Sequence, residues 1–577
     1  MSDYAIQKLK FQILDLVAQA FGPETDRKQL EITVPPDSSL GDLAVPCFYF
    51  SKLSRRSPNQ IALELEEKIH PGGVIKSIKA VGPYLNFFID AKIFGREAIK
   101  EIIKKKEKYG QLALAAEKIM LEYSQPNTHK EFHIGHLRNA VLGASLVNVL
   151  RFSGYKVVPV NYIGDIGAHV AKCLWALNRF HKDEKPPENK GKYLGVIYSE
   201  AVRKTEANPE FKKEADEVLM KLEHGDKYFI ALWKKTREWS LDEFNEIYKL
   251  LGVSFKRVFF ESEVEKPGKK IVSELLEKNI AEKSDGAVIV NLEKYGLKNF
   301  ILLKSDGSSL YSTKDLALAK LKFQKYKIEA SLVVTDSRQN FYFEQLFKTL
   351  ELIGFNPSDK HGAGKKLVHI PYEFVTLKEG AMSSRSGNVV LFEDFYAQVL
   401  AQSKAETKKR HTDWPDKKID EVAGKIALAA IKFNLLKVGN SNIIVFDIDE
   451  ALSFDGFSGP YIQYTTSRIM SVLKKAKFVT VGSADFGRLK EELEKELILK
   501  IAEFPEAVKE AAENYQPSEV AKYLFELSHL FANFYQEVPI LSAEEKTRYA
   551  RLALCAAVRQ VLVNGLELLG IDALEEM

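Results

Sequence analysis

Ile119-Met120-Leu121-Glu122-Tyr123, followed by Ser124-Gln125-Pro126-Asn127-Thr128-His129-Lys130-Glu131-Phe132 and then His133-Ile134-Gly135-His136-Leu137, is the stretch that decides the fold. Its first five residues are apolar except for one Glu and read as a strand, which Pro126 and Asn127 interrupt. From Ile134 to Phe152 apolar residues recur at helical spacing, and Lys156 to Tyr162 is extended again. Strand, turn, helix and strand in that order form the unit from which parallel sheets are built.

Working outward, strand candidates at Phe300 to Leu303, Leu332 to Thr335 and Leu367 to Pro371 alternate with helical segments, so the sheet is expected to resume later in the chain. What separates them is a polar surface tract, His181 to Lys192, and a helical insertion around 181–255, one face of which is marked by Phe244, Ile247, Tyr248 and Leu251. Before the unit, residues 1–112 read as a small α+β domain: a helix from Ile6 to Phe21, strand-like runs at Leu30 to Val34 and Tyr84 to Ile89, and a helix near Pro58 to Ile69. The Lys-rich run Ile99 to Lys108 reads as a solvated helix leading out of it. Past residue 400 strands are expected to disappear, and amphipathic segments at Val422 to Leu436, Leu489 to Ala512 and Ser518 to Tyr535 predict a helical bundle over 401–577.

Composition narrows the function classes without naming one. Hydrophobic residues make up 45% and charged residues 28% of the 577, a globular balance, and 83 basic against 79 acidic residues permit nucleic-acid binding only through a local basic face. No apolar run approaches the ~18 residues of a membrane span, and the N-terminus lacks a signal core, so a cytoplasmic location and no membrane partner are expected. Cys47, Cys173 and Cys555 lie too far apart in sequence for a Cys-x-x-Cys zinc site, and no zinc is expected. Internal repeats are absent.

The chemistry sits between the first strand and its helix. Histidines beside a helix N-terminus, with free backbone N–H groups and a glycine that lets a ring approach the backbone, suit the stabilisation of charge on phosphate oxygens. His129 and His133 could also be taken for a zinc-protease pair, but the Glu is not adjacent to the first His, and Pro126 and Gly135 interrupt the stretch. Gly362-Ala363-Gly364-Lys365-Lys366 echoes a P-loop, yet Asp359 and Lys366 occupy its required Gly and Ser/Thr positions.

His133-Ile134-Gly135-His136, with Glu122 to Asn127 before it and Asn161-Tyr162-Ile163-Gly164-Asp165 after it, resembles the first signature of class I aminoacyl-tRNA synthetases, and the arginyl-tRNA synthetases in particular. The resemblance covers nearly the whole chain. It implies an α/β fold with a Rossmann-type parallel-sheet catalytic core at 113–400, an N-terminal domain at 1–112 that grips the tRNA elbow, and a helical anticodon-binding domain at 401–577. The implied activity is ATP-dependent joining of L-arginine to tRNA(Arg), with bound tRNA required for the first step, ATP accompanied by Mg²⁺, and a monomeric enzyme.

Residue roles follow from the same resemblance. His133, Gly135 and His136 are expected at the ATP triphosphate. Ala381-Met382-Ser383-Ser384-Arg385 resembles the second, Lys-Met-Ser-Lys-Ser signature, but Ala381 and Ser384 stand where its lysines would be. Met382, Ser383 and Ser384 are still expected at ATP, with Lys130 and Arg385 supplying the missing charge as catalytic residues. A guanidinium offers five donors and calls for carboxylate and hydroxyl acceptors. Tyr311 and Asp315, on one helical face, with Glu122, are expected there, and Asn127 and Gln339 at the amino-acid end; Glu261 is a weaker candidate. Tyr461, Tyr464, Arg468 and the terminal Met577 are expected at the anticodon, where unstacked bases seek aromatic and guanidinium planes. The rival reading is a non-catalytic tRNA-binding paralogue, motivated by the two missing lysines. Metal ligands are not legible.

Overall fold

The computed structural model describes residues 4–113, 117–355, 366–378, 390–478 and 484–577. Its centre is a five-stranded parallel sheet of β1 (Lys118–Glu122), β2 (Lys156–Ile163), β3 (Arg257–Phe260), β4 (Ala330–Asp336) and β5 (Lys366–Tyr372). The spatial order is β5-β4-β1-β2-β3, so the chain reverses direction of winding between β1 and β4. In open parallel sheets the crevice outside the strand ends at such a reversal is where ligands bind.

Four helices frame that crevice: α1 (Ile134–Phe152), α2 (Glu261–Glu277), α3 (Tyr311–Tyr326) and α4 (Asn340–Leu352). α1 buries almost its entire circumference, from Leu137 and Ala140 to Val149 and Leu150, because it lies between the sheet and the C-terminal helices. Close packing against β1 leaves room only for glycine at 143, where a Cβ would fall 2.2 Å from the Tyr123 ring.

Two expectations about strands are corrected. Phe300–Leu303 belongs to a separate antiparallel sheet with Glu282–Ser284 and Ala287–Val290; Ile301 is exposed, as an edge strand with one solvated face requires. The sheet edge is instead Arg257–Phe260. After residue 400 a short strand does occur, Ile444–Phe446, the one among the described residues there, pairing in parallel with Val375–Leu377.

The insertion consists of helices Lys190–Ala207, Pro209–Glu223 and Lys227–Leu251, which share a separate apolar core with Ala168–Phe180. In the N-terminal part, Leu43–Pro46, Tyr84–Ile89 and Ile75–Val81 form an antiparallel sheet. Leu30 to Val34 contributes only an isolated bridge at Thr33, since Pro35 and Pro36 follow at once and supply no N–H for a ladder. The Lys-rich segment is the end of helix Ala91–Lys105, whose narrow apolar face of Ile99 and Ile102 is fully buried.

The C-terminal part is helical and includes Phe392–Arg410, Asp416–Leu436, α5 (Gly459–Lys475), Pro517–Glu537 and α6 (Glu545–Leu568). The expected single helix over Leu489 to Ala512 is two, Glu492–Ala502 and Phe504–Glu513. Pro505 has no N–H to extend the first and sits in the opening turn of the second. The N-terminal part packs on this bundle through Lys495–Asp42, at 2.8 Å, and the Tyr109 hydroxyl, which donates to Ile501 O. Among the described residues no helix is long and apolar enough to cross a membrane.

Candidate active site

The loop from β1 to α1 carries three non-glycine residues in the left-handed region, Ser124, Gln125 and His129. Such backbone persists only where neighbours over-determine it, and here each N–H is held by a buried side chain. Ser124 N donates to Asn139 Oδ1 at 2.6 Å, Gln125 N to Asn161 Oδ1 at 2.9 Å and His129 N to Ser240 Oγ at 2.9 Å. His129 itself is an anchor. Its ring is fully buried between the hydroxyls of Thr128 and Thr236, and burial pushes its pKa down to about 3.

The loop ends in a reciprocal cap of α1. His133 is the N-cap residue; its Nδ1 accepts from Gly135 N at 3.0 Å and His136 N at 3.3 Å, while His136 Nδ1 accepts from His133 N at 3.3 Å. The two imidazoles stack with centroids 3.7 Å apart. Desolvation, with Lys130 nearby, lowers the His133 pKa to about 4, and burial beside His133 also holds that of His136 well below its usual value. Both rings are therefore neutral near pH 7, and because each Nδ1 accepts, each proton sits on Nε2. Two Nε2–H donors at a helix N-terminus form a ready anion cradle. Lys130 lies 5.2 Å from the Tyr198 ring centroid and has no carboxylate partner among the described residues; burial and Lys172 lower its pKa.

The start of the same loop, at Gln125 and Asn127, borders a cavity of about 400 Å³ walled also by β1, β2 and β4 and by α2, α3 and α4. Glu122, Asn127, Tyr311, Asp315 and Gln339 all line it, as does Glu261. Gly164 is the residue that lets the wall close: a Cβ there would stand 2.1 Å from Asn127 Oδ1 and 3.3 Å from Glu261 Oε1.

The carboxylates of this cavity are not equivalent. Glu122 is ion-paired with Lys322 and Glu261 with Lys314, each at 2.5 Å and each pair buried. Asp315 has no cation within ion-pair distance among the described residues; its one bond is from the Tyr342 hydroxyl, at 2.5 Å. Burial, with Glu122 and Glu261 nearby, pushes its carboxyl up to about 7. A recessed carboxylate that lacks a counter-ion is the natural seat for a cationic group.

Lys314, Lys322, Tyr342 and Gln125, which donates to Glu122 Oε1 at 2.7 Å, are site residues that the sequence reading omits. Tyr311, Asp315, Leu318 and Lys322 follow at helical spacing along one face of α3, and a lysine continuing the Tyr311–Asp315 face was the available signal.

A second cavity, of about 510 Å³, lies in the helical part. Tyr464, Arg468 and Met577 line it together with His411, Trp414, Lys475 and Tyr535. Arg468 donates to the Tyr464 hydroxyl at 2.7 Å and lies over the rings of both Tyr464 and Tyr535, and His411 stacks on Trp414 at 3.7 Å. Tyr461 does not line this cavity; two turns before Arg468 on the same side of α5, its ring packs 5.9 Å from that of Phe525. Met382, Ser383, Ser384 and Arg385 lie outside the described residues, as do Gly362, Gly364 and Lys365.

Three family models match along the chain. Residues 98–448 match the family model described as tRNA synthetases class I (R), catalytic domain; residues 462–577 match the DALR anticodon binding domain; residues 7–89 match the arginyl tRNA synthetase N terminal domain. The chain is 38% identical to the arginine–tRNA ligase of Bdellovibrio bacteriovorus over 551 residues, 94% of this chain and 93% of that one. It is also 38% identical to that of Clostridium perfringens over 549 residues, 95% and 96% of the two chains. The solved arginyl-tRNA synthetase of Thermus thermophilus superposes with a TM-score of 0.83 at 28% identity, covering 99% of this chain and all of the other. That of Plasmodium falciparum, at 22% identity and a TM-score of 0.81, shares the fold. The chain belongs to the arginyl-tRNA synthetase family of class I aminoacyl-tRNA synthetases, whose activity is that of an arginine–tRNA ligase.

Proposed function

We propose that this chain activates L-arginine with ATP in the crevice between β1 and β4 and transfers it to the 3′ end of tRNA(Arg), with the arginine guanidinium seated on Asp315. The observation that carries the reading is the inequality of the carboxylates: two are neutralised by lysines, and the third is free to take a guanidinium. Tyr311 and Glu122 supply further acceptors, and Asn127 and Gln339 face the amino-acid end.

In the first step an arginine carboxylate oxygen attacks the α-phosphorus and pyrophosphate departs. His133 and His136 donate from Nε2 to the phosphate oxygens, and Lys130, just before the first signature, neutralises the leaving group in place of the lysines that the sequence lacks at 381 and 384. Gly135, Met382, Ser383 and Ser384 complete the proposed ATP contacts, and Arg385 assists Lys130. Mg²⁺ would add positive charge at the phosphates. Such an ion binds mainly through phosphate oxygens and water. In the second step the terminal ribose hydroxyl of the tRNA attacks the activated carbonyl and AMP leaves.

Tyr464, Arg468 and Met577, with His411 and Trp414, are proposed to hold anticodon bases in the second cavity, and Tyr461, on the same side of α5 as Arg468, to offer a further aromatic face beside it. We divide the chain at 112 and 400 into elbow-binding, catalytic and anticodon-binding parts, and place it in the cytoplasm as a monomer, where its three buried free thiols fit a reducing compartment.

The test is pyrophosphate exchange into ATP with a panel of amino acids, with and without total tRNA. Exchange with arginine alone, and only when tRNA is present, is the expected result. Exchange with another amino acid would overturn the assignment of Asp315. Silence throughout with tRNA binding retained would favour a non-catalytic paralogue.

A further inference from the structure

Residues Glu567–Met577, the end of α6 and the segment after it, link two parts of the molecule. α6 stops at Leu568, Gly570 turns the backbone in the left-handed region, and the remaining segment runs past α1 toward the second cavity, where Met577 lies. Along this strap a series of backbone carbonyls is held by side chains from other elements. Ser145 Oγ of α1 donates to Leu568 O at 2.9 Å and Asn148 Nδ2 to Glu567 O at 3.1 Å. Lys432 Nζ donates to Gly570 O at 2.5 Å. Gln463 Nε2 and Ser467 Oγ of α5 donate to Asp572 O at 2.7 Å and Leu574 O at 2.8 Å.

The two ends of the strap are thus fixed to the two functional helices. Gln463 and Ser467 are each followed directly by the cavity residues Tyr464 and Arg468 on α5. Ser145 lies nine residues along α1 from His136, about 14 Å at the rise of an α-helix. Leu569, Ile571 and Leu574 are buried, so the strap is packed as well as tied. Lys432 is also largely buried, and burial lowers its pKa to about 8; such a group finds water a poor substitute for the Gly570 carbonyl.

An element held at both ends can carry coupling between distant sites when both sites bias its position. We propose that the strap Glu567–Met577 is that element: occupation of the second cavity by the anticodon is transmitted through Gln463 and Ser467 to the strap, and through Ser145 and Asn148 to the helix whose first turn holds His133 and His136. Ser145, Asn148 and Lys432 are positioning residues, acting on the reaction through α1. The proposal rests on the assignment of the second cavity to the anticodon.

The experiment is a coupling cycle. kcat and KM for aminoacylation are measured for the wild type and for Ser145→Ala/Asn148→Ala, each with tRNA(Arg) carrying its native anticodon and with one anticodon nucleotide replaced. In the wild type the replacement lowers kcat and raises KM. In the variant kcat with native tRNA is already reduced, by roughly 5- to 20-fold, and the replacement lowers it little further, while KM still rises because the cavity is intact. Additive losses in kcat overturn the strap and leave the cavity assignment standing. A replacement that changes neither kcat nor KM in the wild type overturns both. Lys432→Met frees the Gly570 carbonyl from a different helix and is expected to show the same non-additivity, so a folding defect in the first variant does not decide the matter.

Discussion

The Tyr342 hydroxyl donates to Asp315 Oδ2 at 2.5 Å across the gap between α4 and α3, and it is the one hydrogen bond to that carboxylate among the described residues. Burial raises the Asp315 pKa to about 7, Glu122 and Glu261 push it the same way, and Tyr342 and Lys322 oppose them. Free enzyme is thus part-protonated at neutral pH. A guanidinium binds the ionised form, so arginine binding takes up the cost of losing that proton.

Arginine affinity is therefore expected to weaken as pH falls through 7, approaching about tenfold per pH unit once Asp315 is protonated. Tyr342→Phe removes a bond to the charged form, raises the pKa, and moves this limb to higher pH. Equilibrium dialysis of arginine between pH 5.5 and 8.5 measures both. A flat profile in the wild type, or an unmoved limb in Tyr342→Phe, would show that Asp315 is not the seat of the guanidinium.

Gly164→Ala isolates the amino-acid end of the cavity. Its backbone is outside the left-handed region, so alanine is conformationally allowed, but the new methyl meets Asn127 Oδ1. Displacing Asn127 costs one polar contact, about 1–3 kcal/mol, so KM for arginine is expected to rise about 5- to 100-fold. KM for ATP should change less than threefold. Equal losses for both substrates would place Asn127 elsewhere.

His133 has two duties that substitution can separate. Asparagine is a good N-cap residue and keeps an acceptor for Gly135 N, but it lacks the outward Nε2–H. His133→Asn should keep stability within about 0.5 kcal/mol while lowering pyrophosphate exchange by about 10²–10³. His133→Ala should lose activity similarly and a further ~1 kcal/mol of stability. Denaturant unfolding beside exchange rates measures the pair; retained activity in His133→Asn would remove the ring from the phosphate site.

Local pattern was enough to read β1, α1 and β2, because each has a strong period and a turn of distinctive chemistry between them. It was not enough to assign Phe300–Leu303 to its sheet, since an apolar run does not name its partner, or to find Arg257–Phe260, four residues opening on a charge. The cavity was half legible for a similar reason. Tyr311 and Asp315 are a turn apart on one helix, whereas Tyr342 reaches Asp315 from 27 residues away. Buried Lys314 and Lys322 contradict the usual exposure of lysine, and only their carboxylate partners explain them.

Arg468 tests the second cavity. Its guanidinium spans two tyrosine rings while bonding the Tyr464 hydroxyl, a geometry that a point charge on a flexible stem cannot reproduce. Arg468→Lys retains the charge and loses the plane. If the cavity takes an unstacked base, the loss is about 1–3 kcal/mol, seen as a rise of about 5- to 100-fold in KM for tRNA(Arg), with KM for arginine unchanged. Trp414→Ala, which removes the platform stacked on His411, should act in the same direction. Were Arg468 needed only for its charge, Arg468→Lys would bind tRNA as the wild type does and Arg468→Ala alone would fail, and the salt dependence of tRNA binding would be unchanged in the lysine variant and shallower in the alanine variant.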